Sequence, residues 1–180
     1  MRVDVLPAPW NKGKLSKTAL EGFELFRGAW REAATRYTSI YSVRSKSGRN
    51  LPKGVQKYLN QVLEERFTEA GWDAIEGRFR KGDTWIRVTF RHQMSLGSDL
   101  IDAIRICKKE GVKEAIILAG SDSFLRLVTP KDAAALVNYE KLANDVTRLN
   151  GVLDIPLYYG QLSQESKLHP DANKLILSER

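Results

Sequence analysis

One short run limits the fold more than any other stretch of this 180-residue chain. Ala115-Ile116-Ile117-Leu118-Ala119 is apolar without interruption. A strand with one face in water alternates apolar and polar residues, whereas a strand covered on both faces reads as continuously apolar. No run in the chain approaches the ~20 apolar residues of a membrane span. The run therefore predicts an interior strand with a layer on each side. Helical and strand patterns alternate around it, in the order helix, helix, two adjacent strands, helix, strand, helix, strand. That order predicts an α/β protein: a mixed β-sheet flanked by helices.

Residues 1–15 read as extended, because Pro7 and Pro9 block a helix and Asn11-Lys12-Gly13-Lys14 is turn chemistry. Ser16 caps a predicted helix to about Tyr37, with Leu20, Phe23, Phe26, Trp30 and Ala34 at three- and four-residue steps. Thr38 to Gly54 reads as a polar, basic connection. A second helix is predicted from Val55 to Ala70, its apolar stripe being Val55, Leu59, Val62, Leu63 and Phe67, with Gly71 as cap. Trp72–Phe79 and Thr84–Phe90 read as two strands joined by the turn Arg80-Lys81-Gly82-Asp83. In the second strand Trp85, Arg87 and Thr89 face opposite to Ile86, Val88 and Phe90. Ser98 or Asp99 caps a helix to Glu110. Gly120-Ser121-Asp122-Ser123 reads as a loop without the lysine of a phosphate-binding loop. Thr129-Pro130-Lys131-Asp132 has the chemistry of a helix start, predicting a helix to Leu149. Asp154–Tyr159 is the last predicted strand, and the polar tail begins after Gln161.

Charge is distributed unevenly. Residues 1–60 hold 12 Lys/Arg against 4 Asp/Glu, residues 61–95 hold 6 against 6, and residues 96–180 hold 11 against 12. The net +7 is thus local to the N-terminal third. From Arg36 to Lys57 six basic residues stand without one acid. Such a block releases counterions from a polyanion and binds nucleic acid in a salt-dependent, sequence-blind way. A solvated, soluble surface is the alternative. Cys107 is the only cysteine, so neither a disulfide framework nor a cysteine-rich zinc site is available. It falls on the apolar side of its helix, where packing is the expected role. The N-terminus lacks an apolar signal core. The expectation is a cytoplasmic protein.

The stretch Leu59-Asn60-Gln61-Val62-Leu63-Glu64-Glu65-Arg66-Phe67-Thr68-Glu69-Ala70-Gly71-Trp72 resembles the helix before the active-site hairpin in the BglII/BamHI group of type II restriction endonucleases. Trp85-Ile86-Arg87-Val88-Thr89-Phe90 resembles the family strand that reads apolar-Glu-Val-(Gln or Glu)-Phe. Asp99-Leu100-Ile101 is similar to the start of the helix that crosses behind the sheet. Ile155-Pro156-Leu157 with Gly160 is similar to the closing strand. The resemblance covers residues 55–160 and implies the PD-(D/E)XK nuclease fold, a homodimer around duplex DNA, and magnesium held by an Asp, a Glu and a second polar residue. Magnesium, a hard cation, needs such oxygen ligands to activate water for phosphodiester hydrolysis.

Here the pattern departs from the family. Arg87 stands where the resemblance places the Glu, and Thr89 at the second position. Arginine cannot ligate magnesium, and its fixed charge repels it. It can instead hold a phosphate by paired hydrogen bonds, or be an ordinary solvent-facing strand residue. Glu76 is the best stand-in ligand and catalytic acid, with Asp73 and Asp83 as others. Glu64, Glu65 and Glu69 on the preceding helix read as a solvated face with local ion pairs. His92, after Arg91, is a candidate base or phosphate donor, with plain surface placement as the alternative, and His169 carries no assignment. Pro9 to Ser16 resembles a short nuclease-associated motif found beside some homing endonucleases, and physically reads as a flexible basic arm.

The chain is thus read as a basic N-terminal arm, helix and loop (1–54), a restriction-endonuclease-like core (55–162) and a polar tail (163–180). The first functional expectation is a DNA-binding protein, catalytically impaired, that grips the backbone through Lys12, Lys14, Lys17, Arg44, Lys46, Arg49, Lys53 and Lys57, aided by Arg87, Arg91 and His92. It needs no cofactor. A magnesium-dependent endodeoxyribonuclease using Glu76, Asp73 or Asp83 is the second. A nucleic-acid- or protein-binding subunit of a larger defence or mobile-element complex is the third.

Overall fold

A computed structural model describes residues 1–164. Six strands form one sheet: β1 (Arg2–Pro7), β2 (Asp73–Ile75), β3 (Arg78–Lys81), β4 (Thr84–Thr89), β5 (Glu114–Gly120) and β6 (Leu157–Ser163), in the spatial order β1-β6-β5-β4-β3-β2. The three central strands β4, β5 and β6 are parallel. The outer pairings β1–β6, β2–β3 and β3–β4 are antiparallel. All seven residues of β5 are buried, as its unbroken apolar run predicts.

Six helices cover the sheet: α1 (Lys17–Phe26), α2 (Ala29–Lys46), α3 (Gln56–Glu69), α4 (Leu96–Glu110), α5 (Asp122–Val128) and α6 (Tyr139–Arg148). Alternation along β4 and β5 divides the core in two. Ile86, Val88, Ile116 and Leu118 face α1, α2, α3 and α5. Trp85, Ala115, Ile117 and Ala119 face α4 and α6. On the first face Phe67 stacks on Phe79 at 4.0 Å, and Phe26 meets both edge-on at 5.1 and 6.0 Å. Each such pair contributes about 0.5–1.5 kcal/mol beyond burial.

Residues 2–46 share this sheet and core. β1 closes one edge on β6, and Phe26, Trp30, Ala33 and Tyr37 lie in the first cluster. Ser16 caps α1 as expected, its Oγ accepting from the Ala19 amide. The buried Glu114 carboxylate fixes that cap by accepting from the Ser16 amide at 2.8 Å and the Ser16 hydroxyl at 2.5 Å.

Several boundaries differ from expectation. The first helix breaks at Arg27-Gly28, where Gly28 takes φ +75°, and resumes to Lys46 because Tyr37, Ile40 and Tyr41 pack onto the core. The connection read as Thr38–Gly54 shrinks to residues 47–55. The Trp72–Phe79 strand is cut by a tight turn at Glu76-Gly77, with φ +50° and +75°. The next turn narrows to Gly82-Asp83. α4 begins at Leu96, ahead of Ser98. Thr129-Pro130 ends a helix rather than starting one: the Thr129 amide donates to the Leu125 carbonyl of α5, a helix that the loop reading of Ser121-Asp122-Ser123 missed. Asn138 caps α6 instead. β6 starts at Leu157 and runs to Ser163. His169 and most of the tail lie outside the described residues. No described helix is long and apolar enough to cross a membrane.

Candidate nucleic-acid interface

The first half of α3 and the preceding loop are fastened to the carboxyl ends of β4 and β5. The Val55 amide donates to the Val128 carbonyl at 3.1 Å, and Gln56 Nε2 donates to the Phe90 carbonyl at 3.0 Å. Thr129 Oγ1 donates to Gln56 Oε1 at 2.8 Å. Gly54, at φ +152°, lets the loop pass so close that a Cβ would stand 3.0 Å from the Val128 carbonyl. Between this loop, the end of α2 and the outer face of α3 lies a cavity of about 740 Å³. Arg44, Lys53 and Lys57 all line it. Lys46 ends α2 and Arg49 follows it on the turn, where the Arg49 amide closes onto the Arg44 carbonyl. Open α/β sheets bind ligands at this carboxyl end.

Lys12, Lys14 and Lys17 lie at the opposite end. Asn11 Nδ2 donates to the Leu157 carbonyl at 2.9 Å, Trp10 Nε1 donates to the Ile155 carbonyl at 2.8 Å, and Gly13 closes back on Asn11 Oδ1. The segment read as a flexible arm is therefore stitched across the amino ends of the parallel strands. The two basic groups are separated by the length of β4, about 17 Å at ~3.3 Å per residue.

Ion pairing sets these cations apart from most others; among the described residues Arg31, Lys109, Arg126, Lys131 and Lys141 also lack a carboxylate partner. Arg2, Arg27, Arg36, Arg66, Arg78, Arg80, Lys81, Arg105, Lys108 and Lys113 each meet a carboxylate. Arg36 bridges Glu32 and Glu65 at 2.6 Å each, and its hydrogen bond, helped by its charge, draws the Glu65 carboxyl below its ordinary range. None of Lys12, Lys14, Lys17, Arg44, Lys46, Arg49, Lys53 and Lys57 forms an ion pair with a described residue. Their charge is left uncompensated.

Arg87 is no solvent-facing strand residue. Its side chain is 5% exposed, its Nε donates to Asp99 Oδ1 at 2.9 Å, and its Nη1 donates to the Glu76 carbonyl at 2.6 Å. Burial pushes the guanidinium down from its ordinary range, and Asp99 works against that shift. The half-exposed Arg91 shares the same Asp99 oxygen at 3.2 Å. Asp99 is fully buried in the first turn of α4, where a helix favours negative charge. Asp99 Oδ2 and Thr89 Oγ1 are buried without a partner among the described residues. Arg87 is thus held inward, with two of its donors already committed. His92 is exposed, and its Nδ1 accepts from the Met94 amide at 3.4 Å. The arginine–aspartate pair escaped the sequence reading, since its members are twelve residues apart; the one hint was Asp99 opening a helix after an Arg-bearing strand.

The candidate acids do not assemble. The Glu76 carboxylate is 80% exposed on its turn and lies against Arg78. Its amide is bound by Glu64 Oε1. Asp73 is exposed on β2, and Asp83 pairs with Lys113 at the far end of the β3–β4 hairpin. No three His, Cys, Asp or Glu side chains cluster among the described residues. With the buried Arg87 cation at the position the resemblance gives to Glu, the donor set does not fit magnesium. Cys107 is half-buried against the second cluster, and burial raises its thiol to about 11. The chain matches no protein-family model and no curated protein.

Proposed function

We propose that this chain binds double-stranded DNA by its phosphates, on a restriction-endonuclease-like frame whose metal position has been remodelled. The observation that carries the reading is the partition of cations. Nine basic side chains of the N-terminal third, Arg31 among them, lack carboxylate partners among the described residues, while described basic side chains elsewhere are mostly paired. Uncompensated, exposed charge is what releases counterions from a polyanion. The frame is supported by element order: α3, the β3–β4 hairpin, α4 behind the sheet and β6 closing it follow the sequence of parts that the resemblance implies. Remodelling is supported by Arg87, whose cation neutralises Asp99 where the family places a metal ligand.

Supercoiled plasmid with magnesium or manganese, followed for retardation and cleavage in the same samples, tests this. Retardation that weakens with salt, without nicking, is expected. Nicking abolished by EDTA would overturn the remodelled site in favour of a metal-dependent nuclease. Absence of retardation at low salt would overturn the DNA reading and favour a subunit that needs a partner. The homodimer belongs to the proposal, and light scattering with and without duplex tests it.

A further inference from the structure

The cavity beside α3 contains more than phosphate-binding groups. Its volume of about 740 Å³ lies within the ~300–1,000 Å³ range of small-molecule sites. Arg44, Lys53 and Lys57 line it, with Glu64 and Asp132 as its two acids. Along α3, Lys57, Asn60, Gln61 and Glu64 follow on one face at helical spacing. The seven helical steps from Lys57 to Glu64 span about 10 Å at ~1.5 Å each. This is comparable with the reach from the phosphate to the far edge of the base in one nucleotide.

The half-buried Asn60 and the exposed Gln61 make no side-chain hydrogen bond with a described residue, unlike Gln56, whose amide is committed to the Phe90 carbonyl and the Thr129 hydroxyl. A free amide offers a donor and an acceptor side by side, the pairing that reads a base edge. Glu64 lies beyond them; its Oε1 accepts from the Glu76 amide, and its second oxygen can accept from an amino group.

We infer that this cavity takes one nucleoside monophosphate unit, with the phosphate on Lys53, Lys57 and Arg44 and the base against Asn60, Gln61 and Glu64. The inference deepens the DNA reading, since the unit can be a nucleotide standing out of a strand. The same chemistry is met by a free nucleotide.

The test titrates the full chain with three probes: a free fluorescent purine nucleoside monophosphate, a duplex carrying that purine unpaired, and the same duplex fully paired. A saturable fluorescence change with either of the first two is expected. It should be displaced by unlabelled nucleotide at lower concentration than by inorganic phosphate, and weakened at least tenfold by Asn60→Leu, with circular dichroism checking the fold. Response to the free nucleotide identifies a soluble ligand, and response to the unpaired duplex alone identifies a strand. No response to either, equal displacement by phosphate, or an unchanged response in folded Asn60→Leu would overturn the inference. Retardation of the paired duplex is scored separately. If it persists while the nucleotide probes fail, only the cavity assignment falls. If it fails while they succeed, only the duplex grip falls.

Discussion

Removing Asp99 is the sharpest perturbation of this fold. Asp99 is fully buried, and its Oδ1 accepts from both Arg87 and Arg91. In Asp99→Ala the half-exposed Arg91 turns to water. Arg87, at 5% exposure, cannot, and only the Glu76 carbonyl still holds it. An uncompensated buried charge of this kind costs about 3–5 kcal/mol. Burial already dominates the Arg87 shift with Asp99 present, so the upper part of that range is expected. Against a total stability of about 5–15 kcal/mol the variant should fold, with little to spare. For a urea slope of about 2 kcal/mol/M the midpoint should fall by about 1.5–2.5 M. Replacing both charges, Arg87→Met with Asp99→Leu, should recover most of the loss, because an apolar pair of similar volume is often neutral or better. The double-mutant cycle isolates the coupling. A loss below about 1 kcal/mol in Asp99→Ala, or a double variant as unstable as the single, would refute the reasoning.

Three further outcomes follow from the geometry. Lys53→Ala with Lys57→Ala should weaken duplex binding and reduce the slope of log K against log salt by about 1.8, at ~0.9 for each phosphate no longer neutralised; an unchanged slope would place the phosphates elsewhere. Gly160→Ala sets a Cβ 2.5 Å from the Asp4 carbonyl, so it should cost about 1–3 kcal/mol through overpacking and speed amide exchange in β1. Cys107, raised by burial from 9.0 to about 11, favours folding fully below the unfolded value and loses that contribution as pH rises through about 11; a thiol reagent at neutral pH should label it slowly when native and rapidly in urea.

The elements read correctly from sequence are those whose side chains point to one place. β5 is apolar throughout because both its faces are covered, and α3 shows a clean stripe because one face meets the core. α2 was legible only to Tyr37. Its second half carries Arg44 and Lys46 outward and depends on Ile40 and Tyr41 finding α3 and the sheet, which is a tertiary fact. Gly28 breaks a helix whose apolar spacing continues across it. Thr129-Pro130 can follow one helix as readily as it can start another, and the capping side chain of Asn138 decides the matter nine residues later. The basic surplus was plain, but not its division between the two ends of the sheet. Arg87 was ambiguous because a polar residue in a strand looks the same at an edge as at a buried pair. Only the packing of α4 supplies Asp99.

That ambiguity suggests a last experiment on the frame itself. Arg87→Glu sets an acid at the strand position where the proposed frame would carry one, and leaves two facing carboxylates, one of them fully buried, with only the half-exposed Arg91 still on Asp99. Arg91, half-exposed and on Asp99 alone, does not neutralise two carboxylates in such a place, so one takes up a proton. The folded-state pKa of that group then lies above its unfolded value. Stability is retained below the unfolded value and lost as pH rises through the folded one. Because Glu76 and Asp83 stand away from the position, acid is expected to rescue the thermal midpoint of Arg87→Glu and magnesium is not. A midpoint that instead climbs with magnesium at neutral pH, and stays flat in the parent chain, would show that the surrounding oxygens still accept a metal. A single substitution would then separate this chain from a metal-binding one.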